Sequence, residues 1–176
     1  MKPVRMELLL FFILGKFYLG DENMTEAAKN IAIDFYKSCE EKHNFSETIV
    51  FDAMNFLSDD FTQFWEGDKQ FVIKAIEAIK LKDENAEFFI EMYGCDGEKG
   101  NIDFIYSDSI IIKTVLSDSE INDEFEKSGE DTFPTDVCDF TVDKSYHFIN
   151  DDGTLSDFSE KCVLNDNQNL FSAWWD

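Results

Sequence analysis

An α+β fold, with three N-terminal helices packed on a curved antiparallel β-sheet, is predicted by three observations in this 176-residue sequence. Apolar residues recur at helical spacing in the first half, the second half breaks into short β-rich runs, and a strong turn signal, Asn150-Asp151-Asp152-Gly153, lies among those runs. The 44% apolar content is enough for one hydrophobic core, while 8 Gly and 2 Pro exclude collagen-like and low-complexity classes. Against 15 Lys and Arg stand 38 Asp and Glu, so the formal charge is −23. Such a polyanion is repelled by phosphates and by anionic headgroups, which excludes nucleic acid as the expected partner.

The elements follow in order. Lys2 and Arg5 precede the apolar run Leu8, Leu9, Leu10, Phe11, Phe12, Ile13, Leu14, which has the layout of a secretory signal and is too short for a membrane span of roughly 20 residues. Residues 1–20 are therefore expected to be a signal peptide cleaved after Gly15 or Gly20, residues 21–165 the domain, and 166–176 a C-terminal tail of a secreted protein. Asn23 with Glu26 marks a helix start, and Ala28, Ile31, Ala32, Phe35, Tyr36 and Cys39 line one side of a helix of about 16 residues. Glu47 to Leu57 is read as a second, shorter helix, Phe61 to Trp65 as a short strand, and Phe71, Val72, Ala75, Ile76 and Ile79 as the buried stripe of a third helix ending near Lys82.

Strands are expected over 88–93, 102–106, 110–116, 137–149 and 154–164, forming a meander. The Asn150–Gly153 turn would then place Ile149 opposite Thr154, Phe148 opposite Leu155 and Phe140 opposite Val163, with His147 on the other face. The stretch from Ser117 to Asp136 holds eight acids against the single Lys127 and reads as a long solvated loop.

Cys39, Cys95, Cys138 and Cys162 are widely spaced and contain no C-x-x-C, so no metal site is expected; an even count behind a signal-like start predicts at least one disulfide, with three pairings open. Asn23-Met24-Thr25 and Asn44-Phe45-Ser46 fit the glycosylation acceptor pattern. No cofactor fingerprint or nucleophile elbow occurs, and none is expected to be needed. His43 reads as a helix C-terminal residue and His147 as a weak acid/base candidate, as does Glu66.

Three segments follow one another along the chain: Ile31-Ala32-Ile33-Asp34-Phe35-Tyr36, then Leu57-Ser58-Asp59-Asp60-Phe61-Thr62-Gln63-Phe64-Trp65-Glu66-Gly67, then the hairpin Tyr146-His147-Phe148-Ile149-Asn150-Asp151-Asp152-Gly153-Thr154-Leu155. In that order they resemble the NTF2-like (nuclear transport factor 2-like, cystatin-like cone) family over roughly residues 26–165. The resemblance implies a cone enclosing an apolar pocket, with Tyr36, Phe64, Trp65, Phe88, Phe104 and Tyr146 as lining candidates. In the ketosteroid isomerase branch it further implies Tyr36 as a hydroxyl donor, the base position on or beside Trp65 with Glu66 the nearest acid, and the second donor near Ser145. With Trp and Ser at two of those positions, the expected function is a binding or interaction domain holding a small apolar ligand, or meeting a protein partner, a second copy included. The alternative is a small isomerase, lyase or hydrolase using Tyr36 with Glu66 or His147 in the same pocket.

Overall fold

The computed structural model describes residues 23–64, 69–97, 101–129 and 133–176. The expected signal peptide, Trp65 and Glu66 lie outside the described residues. The first helix, α1 (Glu26–Lys42), starts at Thr25 instead of Asn23, because the Thr25 hydroxyl accepts the Ala28 N–H at 3.2 Å. It ends at His43, whose φ of 50° lets the His43 and Asn44 N–H groups reach the Glu40 and Cys39 carbonyls.

Glu47 to Leu57 is not a helix throughout. It forms strand β1 (Glu47–Asp52) and then a six-residue helix, α2 (Ala53–Ser58), started by the Asp52 carboxylate, which accepts from the Met54 and Asn55 N–H groups. Thr48, Ile49, Val50 and Phe51 are all buried, so β1 has apolar neighbours on both faces and its sequence shows no period of two. Next come β2 (Thr62–Phe64), α3 (Lys69–Lys82), β3 (Glu87–Glu91), β4 (Gly94–Asp96), β5 (Phe104–Ser107) and β6 (Ser109–Thr114). The helix α3 buries Val72, Ala75, Ile76 and Ile79.

The acidic stretch after β6 is a helix for half its length, α4 (Asp118–Ser128). Ser117 caps it reciprocally: its hydroxyl accepts the Glu120 N–H at 3.3 Å, and the Glu120 carboxylate accepts the Ser117 N–H at 2.9 Å. Ile121 and Phe125, four residues apart, enter the core, and the buried Glu124 carboxylate lies 2.8 Å from both Lys82 of α3 and Lys127. Ser117→Ala is expected to cost about 1 kcal/mol, read as a lower urea midpoint at unchanged slope.

The chain ends with β7 (Asp136–Asp139), β8 (Ser145–Ile149), β9 (Leu155–Asp157), a 3₁₀ turn (Phe158–Glu160) and β10 (Asn169–Trp174). Seven strands make one sheet in the order β7-β10-β6-β3-β1-β8-β9, and β2-β5-β4 make a second. The sheets are mixed, since β1 runs parallel to β8 and β2 parallel to β5, the other pairings being antiparallel. This corrects the expected architecture of three N-terminal helices on one antiparallel sheet. Among the described residues there are four helices, one of them in the C-terminal half, and two mixed sheets.

Two further readings change. The segment 166–176, expected as a tail, supplies β10, which lies between β7 and β6 and buries Phe171 and Ala173. At the hairpin, Gly153 has φ +80° and its N–H meets the Asn150 carbonyl at 2.8 Å, but Ile149 pairs with Leu155, because Asn150 and Thr154 close the turn with each other. Phe148 thus faces Ser156, and Val163 is 66% exposed.

The large sheet is buried on both faces. Ile49, Phe51, Phe88, Ile90, Ile110, Ile112 and Phe171 pack in the main core with residues of the helices, joined by Phe64 and Trp175. Val50, Phe89, Ile111, Tyr146 and Phe148 form a second cluster around Phe158 of the 3₁₀ turn. Over that cluster, Lys113 reaches the Glu87 carboxylate at 3.1 Å and the Lys161 carbonyl at 3.2 Å, fixing the connection to β10. Among the described residues no helix is long and apolar enough to cross a membrane.

Candidate functional site

The residues expected to share one pocket are dispersed by this topology. Phe64 and Phe88 are buried in the main core, Phe64 edge-on to Trp175 at 5.0 Å. Phe104 sits on the three-stranded sheet against Tyr106, and Tyr146 lies in the second cluster between Phe140 and Phe158. Tyr36 alone of the described candidates lines the cleft that follows. β10 and α4 contribute Phe171, Ala173, Ile121 and Phe125 to the same core as Phe64 and Phe88.

A cleft of about 320 Å³ opens where β1 and β8 begin and β3 ends. Helix α1 supplies Phe35, Tyr36 and Cys39, three positions within one turn and a third that face the sheet. Phe45 and Glu47 come from the α1–β1 connection and the start of β1, Ile49 from β1, and Glu91, Met92 and Tyr93 from the end of β3 and the residues after it. Lys144 closes the set from the residue before β8. The parallel pairing of Glu47 with Ser145 brings Lys144 and Glu91 together, so that their charged atoms are 2.5 Å apart.

The polar groups in the cleft are already engaged. Besides the Glu91–Lys144 pair, the Glu47 carboxylate lies 3.1 Å from His147 Nε2, and the Thr48 hydroxyl donates to the Met92 carbonyl at 3.2 Å. His147 leans edge-on against Phe35 at 5.6 Å, on the opposite side of β8 from Tyr146 and Phe148. Ser145, the implied second donor position, is exposed at the start of β8.

Protons are held tightly here. Burial, then the Glu40 carboxylate and the neighbouring Tyr106, push the Tyr36 phenol up to about 12. Burial with Glu47 raises Cys39, and on β4, outside the lining, burial and Glu40 push the Cys95 thiol up to about 11. Burial raises the Glu91 carboxyl against the opposing pull of Lys144, with Asp143 and Asp108 adding to the rise. Both raised thiols ionise less readily than an ordinary cysteine, which disfavours the thiolate as nucleophile.

A second cleft of about 440 Å³ lies along β8 and β9, lined by Val142, Lys144, Tyr146, His147, Leu155, Phe158 and Cys162 among others. Here the Tyr146 hydroxyl donates to Asp143 at 2.7 Å, and burial, helped by that bond, raises its phenol well above the ordinary value.

No two of the four cysteines lie at disulfide distance: Cys39 sits on α1, Cys95 on β4, Cys138 on β7 and Cys162 after the 3₁₀ turn. Asn23 and Asn44 are both exposed, and the Asn44 side-chain carbonyl accepts from the Ser46 N–H and hydroxyl at 3.2 and 2.7 Å. Among the described residues no group of three or more His, Cys, Asp or Glu is placed to hold a metal ion.

Sequence reasoning identified Tyr36 and missed Glu91, Lys144, Phe45, Met92 and Tyr93 as cleft residues. Nothing local marks them, because the β1–β8 register joins segments a hundred positions apart. No protein-family model, curated protein or solved structure matches this chain.

Proposed function

We propose that this protein is a binding module whose α1–β1–β3 cleft takes a small molecule with an apolar body. The observation that carries the reading is the composition of the cleft wall. Phe35, Tyr36, Phe45, Ile49, Met92 and Tyr93 present apolar surface in a concavity of about 320 Å³, while the polar groups between them are committed to one another. Burial of ligand surface against those side chains contributes at about 25 cal/mol per Å² of apolar area. Catalysis needs a nucleophile or acid poised to change its protonation state, and the raised Cys39 thiol and Tyr36 phenol of the cleft favour a binding role over it.

Methyl NMR tests the reading. The Ile49 and Met92 methyl groups are expected to shift when a panel of fatty acids, sterols, retinoids and small aryl amphiphiles is titrated, and Phe45→Arg is expected to weaken the effect by filling the mouth. Phe45 is 62% exposed, so that substitution leaves the core intact. A panel that leaves both methyls unmoved, or that moves only Val142 and Leu155 of the second cleft, would mean the proposed site is wrong.

A further inference from the structure

We infer that the ligand of this cleft carries a positive charge, an organic ammonium or guanidinium group on an apolar body. The inference rests on the cleft being the binding site and adds the chemical class of what it holds. Four aromatic rings line the concavity, those of Phe35, Tyr36, Phe45 and Tyr93, and Tyr93 is 63% exposed with its ring 5.5 Å from that of Tyr106. Aromatic faces attract cations through their quadrupole, and the attraction strengthens when the cation is desolvated. Two acidic residues also line the cleft, Glu47 beside His147 and Glu91, only 17% exposed, beside Lys144.

The chain's own lysine already pairs with one of these carboxylates: Lys144 Nζ is 2.5 Å from Glu91, while the ring it approaches, Tyr146 at 5.7 Å, belongs to the neighbouring cleft. One ammonium does not neutralise the surroundings, because Glu40, Glu47, Asp143 and Asp108 also act on Tyr36, Cys39 and Glu91, against Lys42 besides Lys144. A carboxylate ligand would meet Glu47 and Glu91 directly and be repelled. Farther out, the formal charge of −23 draws cations toward the surface and raises their local concentration.

Calorimetric titration of the full chain with three probes of one shape separates the possibilities: 3-phenylpropyltrimethylammonium, 3-phenylpropanol and 3-phenylpropanoate, with the Ile49 and Met92 methyls reporting location. The ammonium is expected to bind about tenfold more tightly than the alcohol, the carboxylate weakest of all. Glu47→Gln, at a side chain 44% exposed, is expected to narrow the ammonium-to-alcohol ratio, and Lys144→Met to widen it by removing the internal competitor. Alcohol and ammonium binding equally, carboxylate binding best, or a ratio untouched by Glu47→Gln would overturn the assignment of charge while leaving the cleft as a binding site. Binding of none of the three would count against the cleft itself.

Discussion

Phe171→Asp is expected to abolish cooperative unfolding of the whole domain. Phe171 is 6% exposed on β10, paired with Ile112 on one side and Asp139 on the other, so its side chain enters the main core from a strand with neighbours on both edges. A carboxylate there has no partner in the core, and the cost of burying it unpaired is comparable to the whole stability of a domain, about 5–15 kcal/mol. Phe171→Ala isolates the packing part and is expected to cost about 3–5 kcal/mol in urea unfolding. Val163→Asp is the matched control: Val163 is 66% exposed, and the change is expected to stay within about 0.5 kcal/mol. Phe171→Asp unfolding with a wild-type midpoint would mean that β10 is not part of the sheet.

Asp59→Ala is expected to cost about 3–5 kcal/mol, the typical loss when one partner of a buried ion pair is removed. The Asp59 carboxylate is 2% exposed; Oδ2 lies 3.0 Å from Lys29 Nζ and Oδ1 accepts the Phe61 N–H at 2.8 Å. Its carbonyl accepts from Lys69 Nζ at 2.5 Å and from the Thr62 hydroxyl at 2.9 Å, and Lys69 also donates to Thr62 Oγ1 at 2.7 Å. One residue thereby joins α1, the end of α2, β2 and the start of α3. The double change Lys29→Met with Asp59→Leu is expected to recover part of the loss, since it removes the uncompensated charge that Asp59→Ala leaves behind. Urea unfolding of the three chains side by side measures both effects, and a single variant as stable as wild type would show that the Asp59 carboxylate carries no stability.

Residues with a clean helical stripe were legible in the sequence, and those whose environment is symmetric or distant were not. The spacing of Val72, Ala75, Ile76 and Ile79 fixes α3, and Ala28 with Ala32 places α1. β1 was misread because apolar residues on both faces of a strand look like a buried helix turn, and α2 follows it without a break. The helix α4 was hidden by its acidity, although Ser117 and Glu120 spell a capping box and Ile121 with Phe125 a buried pair; composition outweighed pattern. Phe171 and Ala173 of β10 alternate with Trp175 just beyond it, a pattern present in the sequence but short enough to read as a tail. Of the site, Tyr36 alone is named in the sequence, through the family resemblance, and it lies in the apolar stripe of α1. The Glu91–Lys144 contact depends on strand register across the sheet, which no local pattern encodes.

The parallel pairing of β1 with β8 has a kinetic consequence. Glu47 and His147 meet across a hundred positions of chain, and closing such a loop is an entropic cost that precedes any reward from the contacts made. The β3–β6 pairing spans far less sequence and has no such wait. Folding therefore has to leave one edge of β1 open until β8 arrives, while the apolar strip Ile49-Val50-Phe51 stands exposed to other chains. A topology so rich in distant pairings refolds on the order of milliseconds to seconds rather than microseconds. During that interval the chain's strong negative charge, through mutual repulsion between molecules, is what keeps one open edge from finding another.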